Sequence, residues 1–222
     1  MFKSYKSNST PFCTKCGREF ESKEAFKNIK NPVCGVCREK EDSLFYDSVI
    51  SLGEYDGVLK EMIHLYKYNK RERLNKVLGF LLLQKIKNST LTLNTDILIP
   101  VPLYWLRKRL RGFNQSEELA RFLSKGLGIP VATLLSRRKN TKPQVFLSVS
   151  ERIKNVRNAF SINWLTQKVE MPFMSGLHSI KGKSIILIDD VVTTGATVNE
   201  CSKVLKKLGA REVNVVCLAI AC

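Results

Sequence analysis

Histidine is scarce in this 222-residue chain: His64 and His178 are the only two. His64 falls beside the apolar face of a helical pattern and reads as structural. His178 lies in an irregular stretch with no metal partner near it in sequence. A histidine general base or a histidine-built metal site therefore has little to draw on. Long apolar runs are also missing. No stretch approaches the ~18 residues that a membrane-spanning helix needs, so no integral membrane segment is expected. Residues 1–10 lack the apolar core of a signal peptide, which makes the cytoplasm the expected location. No Gly-x-x-x-x-Gly-Lys-Ser/Thr pattern occurs, so a Walker-type nucleotide loop is excluded. Internal repeats and low-complexity tracts are absent.

Acid is the other scarcity. Twenty Asp and Glu face 37 Lys and Arg, for a formal charge of +17. Residues 104–160 alone supply +10 of it, with 13 basic and 3 acidic side chains. A positive field gathered in one part of the chain suits a polyanion: pyrophosphate, nucleic acid or an anionic membrane surface. The plainer reading is a solvated, lysine-rich surface.

What remains is an ordinary globular composition, 44% hydrophobic. The length allows one α/β core and a small module. Residues 1–12 read as a flexible polar lead. Residues 13–46 hold two cysteine pairs but too little apolar material for a core of their own. Residues 47–222 carry the main domain. Strand patterns fall at 47–54, 96–100, 131–135, 160–164, 184–188 and 212–219. Helical spacing marks Gly57–Tyr68, Gln115–Leu127, 151–158 and 196–208, and Glu72–Lys87 with Leu74, Val77, Leu78 and Leu81 on one face. Strands alternating with helices predict an α/β fold, a parallel sheet flanked by helices. Residues 136–150 read as a polar, mobile segment.

Cys13-Thr-Lys-Cys16 and Cys34-Gly-Val-Cys37 form two C-x2-C pairs separated by seventeen residues. Each pair makes a knuckle that brings two thiolates to one ion, with Gly17 and Gly35 where a positive φ is wanted. This spacing predicts a four-cysteine zinc ribbon in which zinc is structural. A redox pair and an iron–sulfur cluster are the rivals. The redox reading is weakened because neither pair sits at a strand–helix junction. Cys201 and Cys217 read as inert small hydrophobes.

Ile185-Ile-Leu-Ile188 is a buried-strand pattern, followed by Asp189-Asp190, Val191-Val192 and Thr193-Thr194-Gly195-Ala196-Thr197. Ligands of open α/β sheets bind beyond the carboxyl ends of strands. A helix starting after Gly195 offers unpaired N–H groups to a phosphate. The threonines add hydroxyl donors. Asp189 and Asp190 suit two adjacent ribose hydroxyls, and can also reach a magnesium ion. A sugar with neighbouring hydroxyls and a terminal phosphate meets all these demands together.

In this stretch the chain resembles the type I phosphoribosyltransferases. The resemblance implies phosphoribosyl pyrophosphate (PRPP) as ligand, its ribose and magnesium at Asp189 and Asp190, and its 5'-phosphate on Thr193, Thr194, Gly195, Ala196 and Thr197. It also implies a pyrophosphate loop at Val101, Pro102 and Leu103, beside an unusual peptide bond for which Pro100 and Pro102 qualify. Arg107, Arg109 and Arg111, with Lys108, would surround the pyrophosphate. Arg137, Arg138 and Lys139 would ride on a flexible loop that closes over the substrate. For both basic runs the alternative is a solvated face.

Tyr55–Ile63 with Lys67-Tyr68, Pro100–Leu103, Arg111-Gly-Phe-Asn-Gln115, and Arg152–Phe160 narrow the likeness: the chain resembles the ComF competence proteins over residues 47–222. That implies a phosphoribosyltransferase linked to natural transformation and DNA uptake, acting on or near single-stranded DNA. In such an enzyme a nucleophile displaces pyrophosphate from the anomeric carbon. The alternative is a DNA-binding or partner-docking competence factor, for instance docked on a competence helicase. It would use PRPP as a sensor or structural ligand without turnover.

Overall fold

The computed structural model describes residues 12–20, 29, 31–68, 72–89, 94–139, 148–162, 169–170 and 180–221. Its centre is a six-stranded sheet in the order β1-β8-β7-β2-β3-β6. These strands are β1 (Ser48–Glu54), β2 (Ile97–Pro100), β3 (Val131–Ala132), β6 (Val169–Glu170), β7 (Ser184–Val192) and β8 (Glu212–Ile220). All neighbours are parallel except β6, which runs antiparallel to β3. The α/β expectation therefore holds.

Both faces of the sheet are covered, which explains strands that read as unbroken apolar runs. Ile185 and Leu187 of β7 face one core with Val198, Cys201 and Leu205 of α7 (Ala196–Lys207). Ile186 and Ile188 face the other core with α2 (Gly57–Tyr68), α3 (Glu72–Lys87) and α5 (Gln115–Leu127). Helices α3 and α5 approach closely. A Cβ on Gly79 would stand 2.6 Å from Phe122, and one on Gly126 2.4 Å from Leu83. That crossing turns α3 so that Leu78, Leu82, Leu83 and Ile86 are buried, while Val77, expected on the core face, is 44% exposed.

Several expectations shift. Residues 131–135 do not form one strand: Val131–Ala132 joins the main sheet, and Leu135–Arg137 forms β4, paired antiparallel with β5 (Phe160–Ile162). β4 also takes up the start of the segment read as mobile. Residues 140–147 lie outside the described residues, as do 163–168 and 171–179 with His178, and residues 1–11 of the polar lead. The short helix expected at 151–158 starts earlier, as α6 (Val149–Val156), because Ser148 and Glu151 build a capping box. His64 is exposed on α2.

Candidate functional site

Strand β7 carries the site. Its pairing with β8 continues through Val192, whereas its pairing with β2 stops at Pro100 opposite Ile188. Asp189 and Asp190 thus belong to the strand, not to a loop after it, and still lie past the end of β2. The loop 101–104 leaves β2 at this same end, and its Val101 N–H donates to Ile188 O at 2.9 Å. Both X-Pro bonds here are trans: no cis peptide bond occurs among the described residues. The Val101 carbonyl accepts from Asn114 Nδ2 at 3.1 Å, so both amide groups of this residue are held by neighbouring segments.

Asp189 is buried and Asp190 half-buried, and both are tightly bonded. Asp189 Oδ1 accepts from Ser116 Oγ at 3.2 Å and from the Asp190 amide at 2.8 Å. Asp190 Oδ1 accepts from the Val191 amide, and its Oδ2 pairs with Lys67 Nζ at 3.0 Å. Burial, then the Asp190 charge, push the Asp189 carboxyl up to about 7. Burial works against the Lys67 ammonium, yet the attraction and hydrogen bond of Asp190 outweigh it and hold its pKa above the usual value.

After β7 the chain turns at Gly195, φ +75°, into α7. Glycine takes this left-handed conformation at little cost, where another residue loses roughly 1 kcal/mol. Gly195 has no side chain to cap the helix, the Ala196 amide makes only a long 3.4 Å bond to Thr194 Oγ1, and the positive end of the α7 dipole lies at the end of the strand that carries the acid pair. The residues predicted for ribose and 5'-phosphate are therefore consecutive at one end of the sheet.

The basic runs divide. Residues 105–111 form a helix, α4 (Trp105–Arg111), rather than a loop. Helical period puts Arg107 and Arg111 on one side and Arg109 on the other. Arg107 and Arg111 are half-buried, and Arg111 donates to Gln115 Oε1 at 3.4 Å. Arg109 is exposed, and Lys108 pairs with Glu117 at 2.9 Å. Arg137, expected on a closing loop, is a β4 residue with its guanidinium over the Phe160 ring, 5.3 Å from the centroid. Burial, then the charge of Arg107, lower its pKa, and Asp189 acts in the opposite direction. Arg137 thus feels charges from both α4 and the acid pair. Arg138 and Lys139 are exposed, and Lys139 donates to the Arg157 carbonyl at 3.0 Å.

Sequence reasoning assigned no role to Asn114, Gln115, Ser116 or Lys67. Asn114 caps α5 by accepting from the Ser116 amide while holding Val101. Buried Gln115 donates to the Lys67 carbonyl at 3.4 Å and accepts from Tyr66 Oη at 3.1 Å through its own carbonyl. These residues tie loop 101–104, α2 and the acid pair to the start of α5. The motif Arg111-Gly-Phe-Asn-Gln115 was the signal that could have pointed to them.

The cysteine pairs meet. All four sulfurs of Cys13, Cys16, Cys34 and Cys37 lie within 4.8 Å of one another, with 3.8 Å between Cys16 and Cys34. Tetrahedral Zn–S bonds of ~2.3 Å imply sulfurs about 3.8 Å apart, so the donor set fits zinc. As bare thiols they titrate against each other: the Cys16 hydrogen bond pulls Cys13 down to about 4, and the same bond pushes Cys16 up. Gly17 has φ +75° as expected. Gly35 does not have a positive φ, because it opens the helical turn α1 (Gly35–Glu39).

The phosphoribosyl transferase domain matches residues 114–221, from the α5 cap to the end of β8. Competence protein F of Haemophilus influenzae is 34% identical over 217 residues, covering 96% of this chain and 86% of that protein. The DNA utilization protein YhgH of Escherichia coli is 32% identical over 189 residues, 83% of this chain and 76% of its own length. Competence protein ComFC of Bacillus subtilis is 26% identical over 195 residues, 80% and 72%. With matches spanning most of both lengths, the chain belongs to the ComF family of competence proteins and carries a phosphoribosyl transferase domain.

Proposed function

We propose that the chain binds PRPP with magnesium at the end of β7 and transfers or senses its phosphoribosyl group in the service of DNA uptake. One observation carries the reading: an acid pair at the end of a central strand is followed directly by a glycine turn and the N-terminus of α7. Asp189 and Asp190 would accept from the ribose hydroxyls, and the first amides of α7 would take the 5'-phosphate. Loop 101–104, Arg107 and Arg111 would take the pyrophosphate, where fixed cations favour the charge that develops as it leaves the anomeric carbon. The acid pair offers the oxygen donors that magnesium accepts, and magnesium would neutralise part of the pyrophosphate charge. Lys67 lies within the same site, as the counter-charge of Asp190. Zinc on Cys13, Cys16, Cys34 and Cys37 would be structural.

Thermal melting tests the ligand set. A ligand that binds only the folded chain raises the midpoint as its concentration passes Kd. PRPP with magnesium should raise it more than ribose 5-phosphate or pyrophosphate does. Equal shifts from all three would count against a composite site.

The relatives' names concern competence and DNA utilization. Helix α4 supports extending that role to this chain. Trp105 is 60% exposed and Leu110 80% exposed, among Arg107, Lys108, Arg109 and Arg111. An exposed indole among cations suits a stacked base and its phosphates. Trp105→Ala and Arg109→Ala should weaken binding of single-stranded DNA, with a flatter salt dependence for Arg109→Ala. Wild-type affinity in both variants would remove the DNA reading for α4.

A further inference from the structure

We infer that residues 43–47 form a strap through which the metal-loaded cysteine module sets the shape of the phosphate turn, with Asn199 and Tyr46 as positioning residues. The inference rests on reading Gly195 and the start of α7 as the 5'-phosphate site.

The strap runs along one face of α7. Asn199 grips it twice: its Oδ1 accepts from the Phe45 amide at 2.7 Å, and its Nδ2 donates to the Ser43 carbonyl at 2.9 Å. Lys203 stands over the Phe45 ring at 5.5 Å, and Lys206 pairs with Asp47 at 2.8 Å. Positions 199, 203 and 206 share one side of the helix. Asn199 is also the residue whose amide donates to Gly195 O at 2.8 Å, closing the first turn of α7 over the glycine. Beneath that glycine lies Tyr46, 4% exposed, its hydroxyl 3.1 Å from where a Cβ on Gly195 would stand. The last turn before the helix is thus gripped from the side and supported from below by the same short segment.

At its other end the strap leads back to the cysteines. It follows α1, which carries Cys37, and the turn Glu41–Ser43. The first knuckle is fixed to the sheet: Thr14 O accepts from the Val49 amide at 2.9 Å, and Gly17 packs so closely on Ile220 that a Cβ there would stand 2.2 Å from its methyl. A module with so little apolar burial depends on its metal for order. Losing the ion releases the end from which the strap is held, and the release reaches Gly195 through Tyr46 and Asn199. Coupling is reciprocal: a ligand on the turn must hold the metal more firmly in the same proportion.

The test uses the full chain in three forms: zinc-loaded wild type, wild type stripped by a chelator, and zinc-loaded Asn199→Ala. Asn199→Ala alters no residue of the thiol set, of the turn 193–197 or of the acid pair. Amide hydrogen exchange across residues 196–203 reads the turn without ligand, and calorimetry with magnesium and PRPP reads the site. Both perturbations should speed exchange in the first turn of α7 and raise Kd by about 5-fold or more. PRPP should slow zinc transfer to a colour-forming chelator. If the stripped protein unfolds, Asn199→Ala decides. If zinc-loaded wild type does not bind PRPP, the ligand reading has failed and exchange alone decides the strap. Wild-type exchange and wild-type Kd in zinc-loaded Asn199→Ala would overturn the inference.

Discussion

Replacing Lys67 by methionine isolates the ion pair at the centre of the site. Lys67 Nζ lies 3.0 Å from Asp190 Oδ2, and each side chain is only 18% exposed. Removing one partner of a fully buried pair costs about 3–5 kcal/mol, because the other charge stays desolvated and unpaired. Partial exposure here reduces that to about 2–4 kcal/mol. The penalty is sharpened by Asp189, whose buried carboxyl already feels Asp190. Asp190→Asn should also destabilise, since it leaves the lysine unpaired. The double variant should recover part of the loss, giving a coupling of about 1–3 kcal/mol, the upper part of the range for residues in contact. Urea unfolding of the four proteins at pH 7.5 measures it. Additive losses with no coupling would refute the view of Lys67 as the counter-charge of this acid pair.

Three further outcomes follow from the same geometry. Gly195→Ala should cost roughly 1 kcal/mol of stability from the left-handed backbone, and more in PRPP affinity because the side chain meets Tyr46; unchanged titration by PRPP would count against the turn. Asp189 holds its proton up to about 7 when folded, against an ordinary 3.8. Between those values the folded state binds a proton the unfolded state lacks, so this group's contribution to stability falls as pH rises from about 4 to about 7. Urea midpoints of Asp189→Asn should show a flatter profile over that window, and a parallel profile would refute the assignment. Arg107→Ala should weaken pyrophosphate binding in a competition titration while Arg109→Ala leaves it near wild type; equal losses would mean that α4 does not sort its cations by face.

Local features of this chain were legible in the sequence. Helices α2, α3 and α5 have the expected bounds because apolar spacing and end residues such as Asn114 and Gly128 act within a few positions. The turn at Gly195 is legible for the same reason: strand, carboxylates, glycine and helix are consecutive. Two C-x2-C pairs announce one cluster because each knuckle is local. Pairings across the chain are another matter. Lys67 meets Asp190, and Asn199 meets Phe45, only once the sheet has fixed which loops share an end. The basic run at α4 shows its charges but not the faces they take, and Val77 is turned outward by the Gly79–Phe122 approach. Splitting residues 131–137 between two sheets depends on β5 and β6, which sequence alone does not align.

The proposed PRPP site lies at the end of β7. Calorimetric titration of the full chain with PRPP, with and without magnesium, in wild type and Asp189→Asn, tests it most directly. Wild type should bind saturably and near one-to-one, tighter with magnesium and at least about tenfold weaker in the variant, equivalent to 1.4 kcal/mol or more. Absence of binding by wild type in the presence of magnesium, or equal affinity in the variant, would contradict it.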